Sequence, residues 1–425
     1  MKQKSFVIKG NIGYSADKDS LLTVEDGCLV CDEGRSAGVY KTLPGKYSAL
    51  RVYDYSGMLV IPGLVDLHIH APQFTFRGLG MDYELIDWLN RQAFPEESRY
   101  ADMAYAKEAY SAFAAAMKKS ATTRACIFAT LHVPATQLLM ELMEGSGLKT
   151  YVGKVNMDRN CPDYLIEKSA DQAAKSTLEW LRGCLGRYAN TKPMLTPRFI
   201  PSCSDELMRK LREIQEKYAL PLQSHLSENP SEIAWVAELC RESEFYGDAY
   251  DRFGLFGRDV PTIMAHCVYS DDRELSRIRD NGVFIAHCPQ SNTNIASGIA
   301  PVRKFVDMGL KCGLGSDVAG GASESIFRAM ADAIQMSKMR WRLQDSTLRP
   351  LTFEEAFWLG TRGGGEFFGK VGSFEEGFEF DAVVIKDTPP KHFRDITLRQ
   401  RLERLLYLED GNRVVHKFVS GKRIF

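Results

Sequence analysis

Four short segments carry side chains able to hold a cation and activate water: His68-Ile69-His70, His225, His266 and Asp317. Each closes an apolar run that reads as a buried strand. Three His and one Asp at strand C-termini form a donor set suited to one zinc ion, which makes hydroxide from water at neutral pH. Side chains two apart on a strand share a face, so His68 and His70 can grip one cation together.

The neighbours of these segments suggest roles. His225 ends Gln223-Ser224-His225, and Glu228 follows three residues later. Glu228 reads as a general acid/base beside the ion or as an acid at a helix entry, because Glu228-Asn229-Pro230-Ser231 also fits a helix start. His266 reads as a fourth ligand or, the favoured role, as an uncoordinated imidazole that orients the water. Asp317, in Gly315-Ser316-Asp317-Val318-Ala319-Gly320-Gly321, reads as a ligand that also accepts the water's proton, or as a turn or N-cap Asp. His287 reads as a structural histidine. His132, His392 and His416 have no supporting pattern.

Eight apolar runs position this set: Leu64–His70, Thr123–Leu131, Thr150–Met157, Met194–Ile200, Leu222–Leu226, Thr262–Cys267, Val283–His287 and Lys311–Ser316. Helix-like stretches separate them, such as 101–119, 170–187, 204–217, 231–241 and 271–280. The alternation predicts an α/β fold, a (β/α)8 TIM-like barrel, with chemistry at the C-terminal strand ends. Residues 1–60 and 377–425 alternate apolar and polar residues between glycines, which predicts short antiparallel strands. The expected organisation is a small β-sandwich domain built from both termini (1–60 and 377–425) around a barrel at 61–376. Gly360-Thr361-Arg362-Gly363-Gly364-Gly365 lacks a preceding strand and a Walker lysine, so it reads as a turn or helix entry.

The chain has 425 residues, enough for a barrel and a smaller domain. A formal net charge of −1 argues against nucleic acid or an anionic membrane as partner. No apolar stretch is long enough for a bilayer and no h-region follows the early lysines, so a cytoplasmic location is expected. The ten Cys are scattered singly apart from Cys28 and Cys31, and read as reduced, buried thiols.

The segment Pro62-Gly63-Leu64-Val65-Asp66-Leu67-His68-Ile69-His70, the later single histidines and the Asp after the eighth run resemble the amidohydrolase superfamily over nearly the whole chain. A narrower resemblance, to its guanine-deaminating branch, rests on seven further segments. They are His70-Ala71-Pro72-Gln73, Gly78-Leu79-Gly80 with Trp88-Leu89, Phe94-Pro95-Glu96, Gly153-Lys154-Val155-Asn156-Met157-Asp158, Thr196-Pro197-Arg198-Phe199 and Ser316-Asp317-Val318-Ala319-Gly320-Gly321. The resemblance implies one Zn2+ per chain on His68, His70, His225 and Asp317, with Glu228 shuttling the proton and His266 assisting at the water. It implies a small-molecule purine, guanine, held by Gln73, Arg198, Phe199 and His266, and a homodimer. Arg presents paired donors to acceptors such as O6 and N7, and an amide can donate and accept at once. Superfamily members with two metals use a carboxylated lysine on strand four. Here that strand reads Met194-Leu195-Thr196-Pro197-Arg198-Phe199, which points to one metal. The rival readings are deamination of another amino-heterocycle, such as 8-oxoguanine, cytosine or a triazine, and a metal-free scaffold that lost the chemistry.

Overall fold

The computed structural model describes residues 5–387, 395–408 and 413–425; His392 lies outside them. Four strands open the chain: β1 (Phe6–Ser15), β2 (Leu21–Asp32), β3 (Arg35–Tyr40) and β4 (Arg51–Pro62). Ten follow: β5 (Leu64–His70), β6 (Thr122–Phe128), β7 (Lys149–Gly153), β8 (Val155–Asn156), β9 (Thr191–Pro193), β10 (Thr196–Pro197), β11 (Leu222–Leu226), β12 (Thr262–His266), β13 (Phe284–His287) and β14 (Cys312–Leu314). Three more end it: β15 (Ala382–Lys386), β16 (Arg413–Val419) and β17 (Lys422–Arg423).

Strands from both termini do share a sheet, in the order β17-β16-β15-β4-β1-β2-β3. It is a single mixed sheet rather than two facing antiparallel ones, because β15 pairs with β4 and β1 runs parallel to β4. Apolar–polar alternation sets which face of a strand is buried but not which strand lies beside it. The sheet curls until Arg35 bridges Glu379. Inside the curl sit Phe6, Ile8, Leu29, Val60, Phe374, Phe380 and Phe418, with Phe6 meeting Phe380 edge-on at 5.3 Å. The stretch expected to be all strand also contains a helix, Leu398–Tyr407. Thr397 and Gln400 form its capping box, and Leu398, Leu402, Leu405 and Leu406 are its buried stripe. A side chain at Gly13 would collide with Leu402, so that glycine lets the helix lie against β1.

The eight apolar runs appear as two four-stranded parallel sheets, β5-β6-β7-β9 and β11-β12-β13-β14, with a two-stranded ladder of β8 and β10. The ladder of the third and fourth runs breaks at Lys154 and at Met194-Leu195, so that β9 ends before the fourth run starts and only Thr196–Pro197 of that run is strand. Backbone hydrogen bonds continue across both seams. Leu195 bridges Leu222, and Gln223 N donates to Leu195 O at 2.9 Å. On the other side Asp317 N donates to His68 O at 2.8 Å and His70 N to Val318 O at 3.1 Å. Val65, Leu67, Cys126, Met194, Ile263, Ala265, Ala286 and Cys288 pack in one cluster between the strands.

Helices Met103–Lys119, Ala170–Cys184, Asp205–Tyr218 and Asp272–Asn281 lie close to the expected stretches. Each begins at a side-chain cap: Asp102, Ser169, Ser204 and Asp271 respectively. The glycine-rich stretch is not a turn. Helix Phe353–Trp358 continues through it as a π-turn over Leu359–Gly363. A Cβ on Gly313 would lie 2.6 Å from Gly364 Cα, so these glycines allow helix and strand backbones to touch. The cysteines are free thiols. Among the described residues no helix is long and apolar enough to cross a membrane.

Candidate active site

The alternation of β5 turns His68 and His70 to the same side, and both are buried. Their Nε2 atoms lie 3.2 Å apart, and His70 Nε2 is also 3.2 Å from His225 Nε2. Asp317 Oδ1 stands 3.1 Å from His68 Nε2 and 3.5 Å from His70 Nε2. A tetrahedral ion with bonds of about 2.0–2.1 Å needs donors about 3.3–3.4 Å apart, so these four groups could hold one metal ion. His225 Nδ1 lies 2.6 Å from Arg198 O, which places its proton there and turns the Nε2 lone pair inward. Burial, then the neighbouring His68, holds His70 and His225 well below the usual imidazole range, so both offer neutral nitrogens to a cation at pH 7. Burial pushes the Asp317 carboxyl up, but His68, followed by His266 and His70, outweighs it and keeps Asp317 ionised far into acid.

Sharp turns at the strand ends aim the set. Ser227, His266, Cys267 and Asp317 all have left-handed backbone (φ of 47°, 76°, 52° and 45°), a conformation that non-glycine residues adopt at a cost of about 1–3 kcal/mol when the surroundings enforce it. His266 Nε2 lies 3.4 Å from Glu228 Oε2 and 3.7 Å from Asp317 Oδ2. Its Nδ1 is 2.8 Å from Asn292 Oδ1, which accepts that proton and leaves Nε2 to face the two carboxyls. Glu228 is not the helix cap. Asn229 caps helix Pro230–Leu239, and the buried Glu228 carboxyl turns to His266 and Ser297. Burial, reinforced by the charge of Asp317, raises Glu228 well above the usual carboxyl range. Behind it Glu232 accepts the Glu228 N–H and the Tyr246 hydroxyl, and burial and Glu228 push it up to about 7.

The ring-binding candidates line the same pocket of about 410 Å³: Gln73, Arg198 and Phe199 join His70, His225, Glu228, His266 and Asp317 there. Leu85, Trp88, Leu89 and Ile295 supply apolar walls. Arg198 is partly committed to a buried ion pair with Glu97, which sequence reasoning passed over. Cys288, Glu232 and Asn292 were missed as well. Cys288 Sγ lies within 4.8 Å of donor atoms of His68, His266 and Asp317. Strand alternation held the clue to it: Ala286 and Cys288 face the interior cluster, and His287 between them does not. Both ring nitrogens of the buried His287 lack a hydrogen-bond partner, and it does not line the pocket.

A family model described as the amidohydrolase family matches residues 59–424, and the chain belongs to that family. Within it, the chain is similar to proteins named guanine deaminase. That of Dictyostelium discoideum is 37% identical over 381 residues, covering 88% of this chain and 84% of its own. That of Escherichia coli (strain K12) is 32% identical over 422 residues, covering 96% and 92%. The crystal structure of guanine deaminase from C. acetobutylicum with bound guanine in the active site matches with a TM-score of 0.96 and 44% identity, covering 99% of this chain and 100% of that one. A triazine hydrolase variant at 19% identity and a TM-score of 0.83 shares the fold.

Proposed function

We propose that this chain is a hydrolase that deaminates guanine, adding water at C2 and releasing xanthine and ammonia. The observation that carries the reading is the donor set His68, His70, His225 and Asp317, spaced for one ion at the floor of a pocket that also holds Glu228, Gln73 and Arg198. The similarity to guanine deaminases over nearly the full chain supports the choice of substrate.

Those four residues would hold a divalent cation, taken to be zinc from the donor chemistry, one per chain; iron, manganese or cobalt would also suit the set. When bound, the ion lowers the pKa of a water molecule from ~16 toward about 7. Glu228 takes the proton of that water, a task suited to a carboxyl whose affinity for protons is raised by burial. As oxygen adds to C2, Glu228 protonates ring N3, so charge does not accumulate on the ring. His266, fixed by Asn292, holds the attacking oxygen in line. A proton passed by Asp317 or Glu228 to the exocyclic nitrogen lets ammonia leave, and the C2–N bond breaks as the carbonyl forms. Arg198 donates to O6 and N7, Gln73 hydrogen-bonds the ring edge, and Phe199 packs beside it. Both seams of hydrogen-bonded strands favour a closed (β/α)8 barrel at 61–376, with 1–60 and 377–425 forming the small β-domain. A cytoplasmic homodimer completes the reading.

The test is ammonia release over a panel of guanine, 8-oxoguanine, cytosine and aminotriazines, with metal content measured by elemental analysis. Guanine is expected to be the preferred substrate, with about one zinc per chain. Faster release from cytosine or a triazine would overturn the substrate, and a metal-free, inert chain would overturn the chemistry.

A further inference from the structure

Glu97 stands between two residues of the pocket wall, 1% exposed, on the short helix Phe94–Ser98. Its Oε2 lies 2.5 Å from Arg198 Nη1 and its Oε1 3.0 Å from Arg198 Nη2, a fork against a fork. The same Oε1 accepts from Gln73 Nε2 at 2.8 Å. On its other side Gln73 Oε1 accepts the Ala319 N–H at 3.0 Å.

These contacts leave each side chain a single way to face the pocket. A carboxylate only accepts and a backbone N–H only donates. Flipping the Gln73 amide would set oxygen against oxygen and nitrogen against N–H, so its orientation is determined. The guanidinium has five N–H groups, and the fork consumes one on each terminal nitrogen. The plane of Arg198 is then set by Glu97, with the Phe94 ring 5.0 Å from Cζ, and its remaining donors keep fixed directions. A flexible arginine without that partner would have to order its plane anew for each ring it bound.

We infer that Glu97 is a positioning residue that presets the donors of Arg198 and the amide of Gln73, so that the pocket selects purine rings bearing an acceptor at C6. The inference rests on the proposed function. It makes Glu97 a determinant of ring choice with no part in proton transfer: its carboxylate reaches the substrate only through its two neighbours.

The test compares guanine with 2-aminopurine, which keeps the ring and the C2 amine but has no O6. Glu97→Gln is expected to retain its metal but to melt lower, because Arg198 keeps a buried charge without its partner, so KM and Ki are read at a temperature where the variant is folded. Its guanine KM should rise about tenfold, the size of one lost charge-assisted pair, with kcat changed much less. The Ki of 2-aminopurine as a competitor should move far less, so the ratio of that Ki to the guanine KM falls about tenfold. An unchanged ratio, whether both constants move together or neither moves, overturns the inference. If E97Q does not fold, the paired variant E97Q/R198Q carries the test, because two amides then replace the ion pair. Its ratio should equal that of R198Q alone, and a further fall overturns the inference. A wild-type chain that releases no ammonia from guanine overturns the proposed function instead. Wild-type turnover with an unchanged ratio in E97Q overturns this inference only.

Discussion

The two ends of the parallel strands both bury charge, and they treat it differently. At the N-terminal end Arg124, 2% exposed on β6, meets Asp381 at 2.6 Å and Glu379 at 2.8 Å. Lys149 and Ser420 also donate to Glu379. The carboxylates there have opposite charges or donors beside them, and burial of Glu379 is outweighed until its carboxyl is held down to about 2. At the C-terminal end Glu228, Glu232, Asp317 and the imidazoles of His70, His225 and His266 line one pocket, and the arginine among them, Arg198, is already paired with Glu97. Glu228 is raised, His70 and His225 are lowered, and the Nε2 of His266 lacks a hydrogen-bond partner. Lys417 is a departure at the structural end: two backbone carbonyls are its acceptors, and burial brings it down to about 7. One end is arranged so that charges are already satisfied. The other, its Arg198–Glu97 pair apart, leaves carboxyls and imidazoles that a cation and a substrate could satisfy.

The sharpest way to break this contrast is to remove the proton carrier. Glu228→Gln should retain its metal and lose about 10²–10⁴-fold in kcat, read by ammonia release beside elemental analysis; near-normal turnover would refute its role. At the opposite end Arg124→Ala strands the buried Asp381 and should cost about 3–5 kcal/mol of stability in urea unfolding. Activity per folded molecule should be unchanged, and a loss of kcat without loss of stability would erase the distinction between the ends.

The pH dependence sharpens it further. Glu379 titrates near 2 when folded, against 4.5 ordinarily. A depressed carboxyl contributes stability that is complete above pH 4.5 and is lost as pH falls toward 2, up to about 3 kcal/mol. In Glu379→Gln that acid-dependent part should disappear, as measured by chemical unfolding at pH 7, 4 and 2.5. Last and smallest, Asn292→Ala frees His266 Nδ1 and should lower kcat about tenfold with metal retained, as loss of an orienting partner does.

Much of this was legible in the chain. Runs bounded by turn residues located β5, β11, β12 and β13 closely, because a buried strand is written locally as contiguous apolar residues. HxH on a strand placed two imidazoles together for the same local reason. The fourth strand differs in extent from the run Met194–Ile200, since Met194, Leu195, Phe199 and Ile200 are apolar yet lie outside both ladders. The helix Leu398–Tyr407 was missed inside a stretch whose flanks alternate. Glu97 was missed for a different reason. Its meaning comes from Arg198, 101 residues away, and no local period encodes which acid will stand opposite a given arginine.

The pairing of β4 with β15 places Ile61 beside Val383, across about three quarters of the polypeptide. A chain still emerging from the ribosome therefore carries Leu59–Pro62 as a raw, apolar edge with open backbone donors and acceptors, until its last segment arrives to cover it. Truncation ahead of Ala382 would leave that edge to recruit strands from other copies, so such products should be found in the insoluble fraction even though every histidine of the candidate metal site had been synthesised.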